Sequence, residues 1–413
     1  MNAIYQRNPM NQLKKKIEAL SGSFLEEIIA VRRHLHQNPE LSCEEFLTAD
    51  FICKKLNEYG IRYQSGVAGT GIVGLIEGND PSSGCIALRA DMDALPVIEL
   101  NKAGYKSAIP GKMHACGHDV HMACLLGAAK ILQSTKDQFS GTVKLLFQPS
   151  EESYPGGAIT MINEGVLAHP EPRYVIAQHV INNLNAGDVG LKSGPYMAST
   201  DEVFITVKGK GGHAATPNQV IDPILIAAHI LIALQQIVSR NADPGIPTVV
   251  SFGKIVGAGR TNVIPDEVVM EGTVRTYNES WRREVHQLME KMATGIAEGM
   301  GASCQVRISH GYPFLNNDPG LTEKLRDLAS RFLGSDHVKE LDPRMTAEDF
   351  AYFAERLPSC LYRLGITNEA RGINSNLHTA TFDVDEHSLE TGMGLMAWFA
   401  CNLLQPEKMT ETL

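Results

Sequence analysis

Five side chains that can bind a metal or carry a proton crowd into eight residues of this sequence: His114, Cys116, His118, Asp119 and His121, inside GKMHACGHDVHMACLLGAAKIL (residues 111–132). Thiolate and imidazole together favour zinc and its transition-metal neighbours over magnesium or calcium. The same residue types also permit a cysteine nucleophile activated by a nearby histidine. A third reading involves no ligand: Asp119 caps the helix that follows, and the histidines are polar packing. Elsewhere, Asp91 and Asp93 fall in RADMDALP, Glu151 and Glu152 in QPSEES, His179 in IAQHV and His378 in NLHTATF.

The elements around these residues decide whether they can meet. Short apolar runs at 70–78, 85–93, 142–149 and 173–180 read as strands between Gly, Pro and Asp punctuation. Residues 13–36 read as a helix with a break near Ser21-Gly22-Ser23, and 44–60 and 119–133 as further helices. Near-continuous Val/Ile/Leu strands alternating with helices predict an α/β domain, its parallel or mixed sheet covered on both faces. Asp91 and Asp93, the Glu151–Glu152 pair and His179 all fall where a predicted strand ends. In open α/β sheets ligands bind beyond those carboxyl ends, so separate segments would deliver their donors to one edge.

The pattern changes near residue 195. Strand, helix, strand, strand, helix, strand over 196–307 predicts an inserted α+β unit of ferredoxin-like type with an antiparallel sheet. The catalytic domain is then discontinuous, residues 1–195 and 308–413. In the insert, GKGGHAATP holds His213 on a glycine-rich turn, with Asn262 and Arg275 further along.

Composition narrows the function classes. A formal charge of −10 and the lack of a basic block argue against nucleic acid or an anionic membrane as partner. No uninterrupted apolar run approaches the length of a membrane span, and residues 1–16 show no apolar leader core. The eight cysteines are scattered without a CxxC pair, which points to a reducing cytoplasm rather than a disulfide framework.

Taken in order, RRHLHQNPELSCEE, ALRADMDALPV, MHACGHDVHM, LLFQPSEES, GHAATP, NVIPDEVVMEGTVRT, MTAEDFAYF and NLHTATF span nearly the whole chain. The chain resembles the amidohydrolase branch of the M20 metallopeptidases, which holds N-acyl-amino-acid amidohydrolases, hippurate hydrolases and auxin-conjugate hydrolases. The resemblance implies an α/β/α zinc-exopeptidase-like catalytic domain with an inserted lid or dimerisation domain. It also implies two divalent metal ions per subunit, Zn²⁺, Mn²⁺, Co²⁺ or Ni²⁺, with Cys116 bridging and His118, Glu152, His179 and His378 as further ligands. Glu151 would be the general base and Asp93 a residue that orients a ligand. His213 would stabilise the oxyanion, and Asn262 and Arg275 would bind substrate. The implied substrate is a small N-acyl-L-amino acid and the implied assembly a homodimer through the insert. A dipeptidase, an N-acetyl-diaminopimelate deacetylase and a non-catalytic metal-binding scaffold are the competing readings.

Overall fold

A computed structural model describes the protein over residues 9–405. The chain forms two compact units. The larger takes the chain up to Gly194, Asn316–Asp342 and the stretch from Tyr352; the smaller takes Pro195–Leu315 and Pro343–Ala351. The smaller unit runs past residue 307 because strand Ser303–His310 pairs along its whole length with Asp201–Lys208. Residues 343–351 belong to it because Ala198 N–H donates to the Arg344 and Thr346 carbonyls, each at 3.1 Å, and Arg344 N–H donates to Tyr196 at 2.8 Å.

The larger unit holds an eight-stranded mixed sheet. Its order is Arg62–Val67, Gly71–Glu77, Thr142–Gln148, Cys85–Asp91, Val175–Asn185, Ser359–Thr367, Val189–Leu191 and Val338–Glu340. The four central strands, 142–148, 85–91, 175–185 and 359–367, run parallel. The two-residue alternation of a strand divides their side chains. Ile86, Leu88 and Ala90, with Val143, Leu145 and Phe147, join the main core, which leaves Arg89, Asp91 and Gln148 on the other face. Burying one such aliphatic side chain is worth about 1.5–3 kcal/mol.

Helices Pro9–Gln37, His118–Ser134 and Ser388–Leu403 pack on one another. Their approach is close: a Cβ on Gly127 would lie 2.7 Å from Met393 Sδ. The first helix is continuous through Ser21-Gly22-Ser23, where the sequence predicts a break. Ser21 Oγ donates to the Ile17 carbonyl at 2.9 Å and Ser23 Oγ to Leu20 at 2.9 Å, so the hydroxyls find partners inside the helix. Strands Arg62–Val67, Val189–Leu191 and Val338–Glu340 lie toward the sheet's two edges and carry little periodic signal.

The smaller unit is a four-stranded antiparallel sheet in the order Thr248–Val256, Glu267–Thr276, Asp201–Lys208, Ser303–His310. Helices Pro223–Leu234 and Glu279–Gly299 pack on it and on each other. The connectivity is ferredoxin-like. The stretch Pro223–Asn241 reaches the length and apolarity of a membrane span. Ile226, Ala227, Ile230, Leu234 and Ile237 of this stretch are buried in the unit's core, while Ile224, Leu225, Ile232 and Val238 are exposed.

Candidate metal centre

The centre is built where the chain order of the sheet reverses. Strand Cys85–Asp91 is flanked by Thr142–Gln148 on one side and Val175–Asn185 on the other, the switch point at which such sheets open a crevice. Register places Asp91 beside Gln148 and His179 beside Arg363. Cys116 and His118 arrive from the turn into helix His118–Ser134. That turn requires Gly117, whose φ is +83° and whose added Cβ would meet Val180 Cγ2 at 2.5 Å. His378 comes from a loop tied to Ala115 by its N–H at 2.8 Å, and it holds a left-handed φ of +61°. Non-glycine residues in that region cluster at functional sites.

Five of the sequence candidates meet here. Cys116 Sγ lies 3.6 Å from His179 Nε2 and 3.3 Å from His378 Nε2. Glu152 Oε1 lies 3.4 Å from His378 Nε2 and 3.9 Å from His118 Nε2. The donors form two groups that share the thiol, Cys116–His118–His179 and Cys116–Glu152–His378, with the donor atoms of each group within 4.8 Å of one another. His118 Nδ1 donates to the Asp93 carbonyl at 2.8 Å, and His179 Nδ1 to the Val180 carbonyl at 2.8 Å. Each ring therefore turns the lone pair of its Nε2 inward, as metal-ligating histidines do.

This geometry accommodates divalent cations. His118 Nε2 and Glu152 Oε1 are buried and have no hydrogen-bond partner, a costly arrangement unless something electrophilic lies between them. The nearby Cys116 thiol, and then the Glu152 carboxylate, raise His378 to about 10. Against its burial, Asp91 and then Cys116 hold His118 well above the ordinary imidazole value. Burial, and then Glu152, push the Cys116 thiol up. The cluster is short of positive charge, and a bound cation would supply it and favour the thiolate.

The surrounding residues hold the donors in place. The Asp93 carboxylate accepts the backbone N–H of Glu151 at 3.0 Å and of Glu152 at 2.9 Å, with Ser42 Oγ at 2.6 Å. Glu151 is 6 % exposed, its Oε2 4.0 Å from His118 Nε2. Asp91, whose part the sequence leaves open, accepts from His121 Nδ1 at 2.5 Å and from Arg89 Nη1 at 2.6 Å. His114 is buried, neither ring nitrogen has a partner, and burial lowers its pKa to about 4, so it packs as a neutral ring. Asp119 is not a helix cap. Gly117 holds that position, and Asp119 Oδ2 is taken by Arg32 Nε at 2.7 Å and His36 Nδ1 at 2.8 Å.

In the smaller unit, His213 pairs across a two-residue ladder with Val263, and Ala214 N–H donates to the Asn262 carbonyl at 3.1 Å. His213 and Asn262 are thus exposed neighbours on two paired segments. The glycines before them allow close backbone approach: a Cβ on Gly209 would lie 2.1 Å from the Ile221 carbonyl oxygen. Arg275 is half-buried on strand Glu267–Thr276, its Nε 3.2 Å from Thr273 Oγ1.

Two supporting groups escaped the reading of the sequence. Arg89 donates to Gln148 Oε1 at 2.8 Å as well as to Asp91, and Glu45 accepts from Ser150 N–H at 2.8 Å. The signals were present, an arginine two residues before an aspartate and a glutamate in the ELSCEE segment. A charged residue's burial cannot be read from its neighbours in sequence.

Comparison with known proteins identifies the family. Residues 87–402 match the model for peptidase family M20/M25/M40. A thermostable carboxypeptidase 2 from Saccharolobus solfataricus is 39% identical over 368 residues, 88% of this chain and 92% of that one. An N-acyl-L-amino acid amidohydrolase from Geobacillus stearothermophilus is 44% identical over 308 residues, 74% of this chain and 82% of that one. The crystal structure of the Bacillus subtilis YXEP protein, a dinuclear metal binding peptidase from the M20 family, superposes with a TM-score of 0.79 at 32% identity, covering 93% of this chain and 99% of that one. The chain belongs to peptidase family M20/M25/M40 and is a metal-dependent hydrolase.

Proposed function

We propose that this enzyme cleaves the amide bond of N-acyl-L-amino acids at a centre of two divalent ions. Cys116, His118 and His179 would hold one ion, and Cys116, Glu152 and His378 the other. The observation that carries this reading is the pair of donor groups meeting at Cys116, with Glu151 beside them. When bound, the two ions supply Lewis acidity toward water and the scissile carbonyl; the donor set suits Zn²⁺, Mn²⁺, Co²⁺ or Ni²⁺.

The chain's own residues do the rest. Glu151 takes the proton of the attacking water and returns it to the leaving nitrogen. Asp93 holds the Glu151 and Glu152 amides on one carboxylate, so the proton carrier and the ligand keep a fixed spacing. His213 donates to the oxyanion, and Asn262 and Arg275 hold the substrate carboxylate. The smaller unit joins two copies into a dimer. In support, Thr248–Val256 is an edge strand with Ile255 and Val256 exposed, and the neighbouring helix exposes Leu225 and Ile232. All eight cysteines are free thiols, in keeping with a cytoplasmic location.

The test is hydrolysis of N-acetyl, N-benzoyl and longer N-acyl-L-amino acids beside dipeptides, before and after EDTA, with each metal added back. The expected result is N-acyl cleavage that chelator abolishes and metal restores, and that Glu151→Gln lowers by about 10²–10⁴-fold. Chelator-insensitive activity lost to thiol alkylation would return Cys116 to the role of nucleophile. Dipeptide cleavage alone would make the enzyme a dipeptidase.

A further inference from the structure

Glu45 has no place in the chemistry above, yet it is fully buried and both of its carboxylate oxygens are engaged. Oε1 accepts the Ser150 N–H at 2.8 Å and Oε2 accepts the Thr70 hydroxyl at 2.8 Å. Ser150 immediately precedes Glu151, and its φ of +56° lies in the left-handed region that side-chain-bearing residues avoid. Two more bonds fix it: Cys43 N–H donates to Ser150 Oγ at 2.9 Å, and Gly157 N–H donates to the Ser150 carbonyl at 3.0 Å. The next two amides, of Glu151 and Glu152, are clamped by Asp93, which Ser42 Oγ holds in turn. The short segment 42–45 therefore braces the glutamate turn on both sides, through Ser42 to Asp93 and through Glu45 to Ser150.

We infer that Glu45 is a positioning residue for Glu151, acting through the amide of Ser150. Without an anionic acceptor for that amide, Ser150 can relax toward ordinary backbone angles and turn Glu151 away from its working position. Misplacing a reacting group by about 1 Å is enough to cost on the order of 10²-fold in rate. The side-chain hydrogen bonds of Glu45 go to Thr70 and Ser150 and to none of the five donors, so the effect falls on the proton carrier and not on metal binding. The kinetic part of this inference rests on the proposed amidohydrolase activity; the backbone part does not.

The experiment uses the full-length, metal-loaded protein as wild type, Glu45→Gln, Thr70→Val and Ser150→Ala. Gln offers the Ser150 N–H a neutral oxygen in place of a carboxylate, Thr70→Val frees the second oxygen, and Ser150→Ala removes the Cys43 bond but keeps the N–H that Glu45 holds. Expected for Glu45→Gln is a fall in kcat of about tenfold or more, with KM and metal content within about twofold of wild type. Thr70→Val and Ser150→Ala each remove one brace and keep the bond from the Ser150 N–H to Glu45, so both should move the same way by less. Hydrogen exchange of the segment spanning 149–153 should quicken by about tenfold in Glu45→Gln, because the Ser150 amide then donates to a neutral oxygen instead of a carboxylate. A folded, metal-loaded Glu45→Gln protein with kcat within about twofold of wild type overturns the inference, whatever its exchange. If that variant does not fold, Thr70→Val decides by the same two readouts. If wild type cleaves nothing in the substrate panel, the functional proposal fails separately, and unchanged exchange in the variant overturns the inference by itself.

Discussion

His121 gives its Nδ1 proton to Asp91 Oδ1, 2.5 Å away, while its Nε2 accepts the Val180 N–H at 2.8 Å. Both ring nitrogens are engaged, which leaves His121 no lone pair to offer a metal, although in sequence it is as eligible as His118. His121→Ala should weaken metal binding by about 10- to 100-fold yet still load two ions per chain at saturating metal. His118→Ala should lose one ion outright. Metal analysis of the two purified variants checks this, and an equal loss in both would put His121 back among the ligands.

Cys116 belongs to both donor groups, whereas His179 and His378 each belong to one. Cys116→Ala should therefore weaken both ions together, and His179→Ala or His378→Ala should weaken one before the other. Calorimetric titration of the metal-free protein distinguishes the patterns: two-step binding in Cys116→Ala with one step unchanged would refute the shared thiol.

Gly117 turns the chain from Cys116 into the helix that begins at His118, with a positive φ and Val180 pressed against its α-carbon. Gly117→Ala should cost about 1–3 kcal/mol for the backbone conformation alone, with more from the clash. The measurement is the shift of the denaturant midpoint at constant slope. A variant as stable as wild type would mean that the turn relaxes freely.

The smaller unit carries its own buried anion. Asp201 accepts from Arg282 Nε at 2.8 Å and Nη2 at 2.5 Å, and from His286 Nε2 at 2.6 Å. Despite burial, Arg282 and then His286 hold its carboxyl well below the usual range. A depressed native pKa adds stability that is complete above the unfolded value of about 3.9 and is lost as pH falls below it toward the native value. Asp201→Asn should cost about 1–3 kcal/mol at neutral pH, because Arg282 and His286 lose their charged acceptor while Glu279 still pairs with Arg282. It should also flatten the loss of stability below about pH 4. Denaturant melts across pH test both; a parallel offset at every pH would show that the charge is not what matters.

Much of the centre was legible in the order of residues along the chain. Cys116, His118, Glu152, His179 and His378 are chemically conspicuous, and the runs that deliver them end in Gly, Pro or acidic residues, so strand ends and donors could be placed together. The central parallel strands were equally plain, because strands buried on both faces read as near-continuous Val, Ile and Leu. The edge strand Arg62–Val67 was not, because half-exposed residues carry no periodic signal, and the run through Ser21-Gly22-Ser23 read as a break because its propensity is weak and its packing is remote.

The sequence alone determined which side chains could be ligands and roughly where the chain would present them. Only the tertiary structure decided which of the similar residues took which part. His118 faces the donors because its Nδ1 is spent on the Asp93 carbonyl, and His121 does not because both of its nitrogens are spent elsewhere. Asp93 and Glu45, far apart from the glutamate pair in the chain, brace it from two sides. The reason is physical: a residue's type sets what it can bind, but its role depends on which of its polar atoms are already satisfied. In a buried site that is settled by partners dozens to hundreds of residues away.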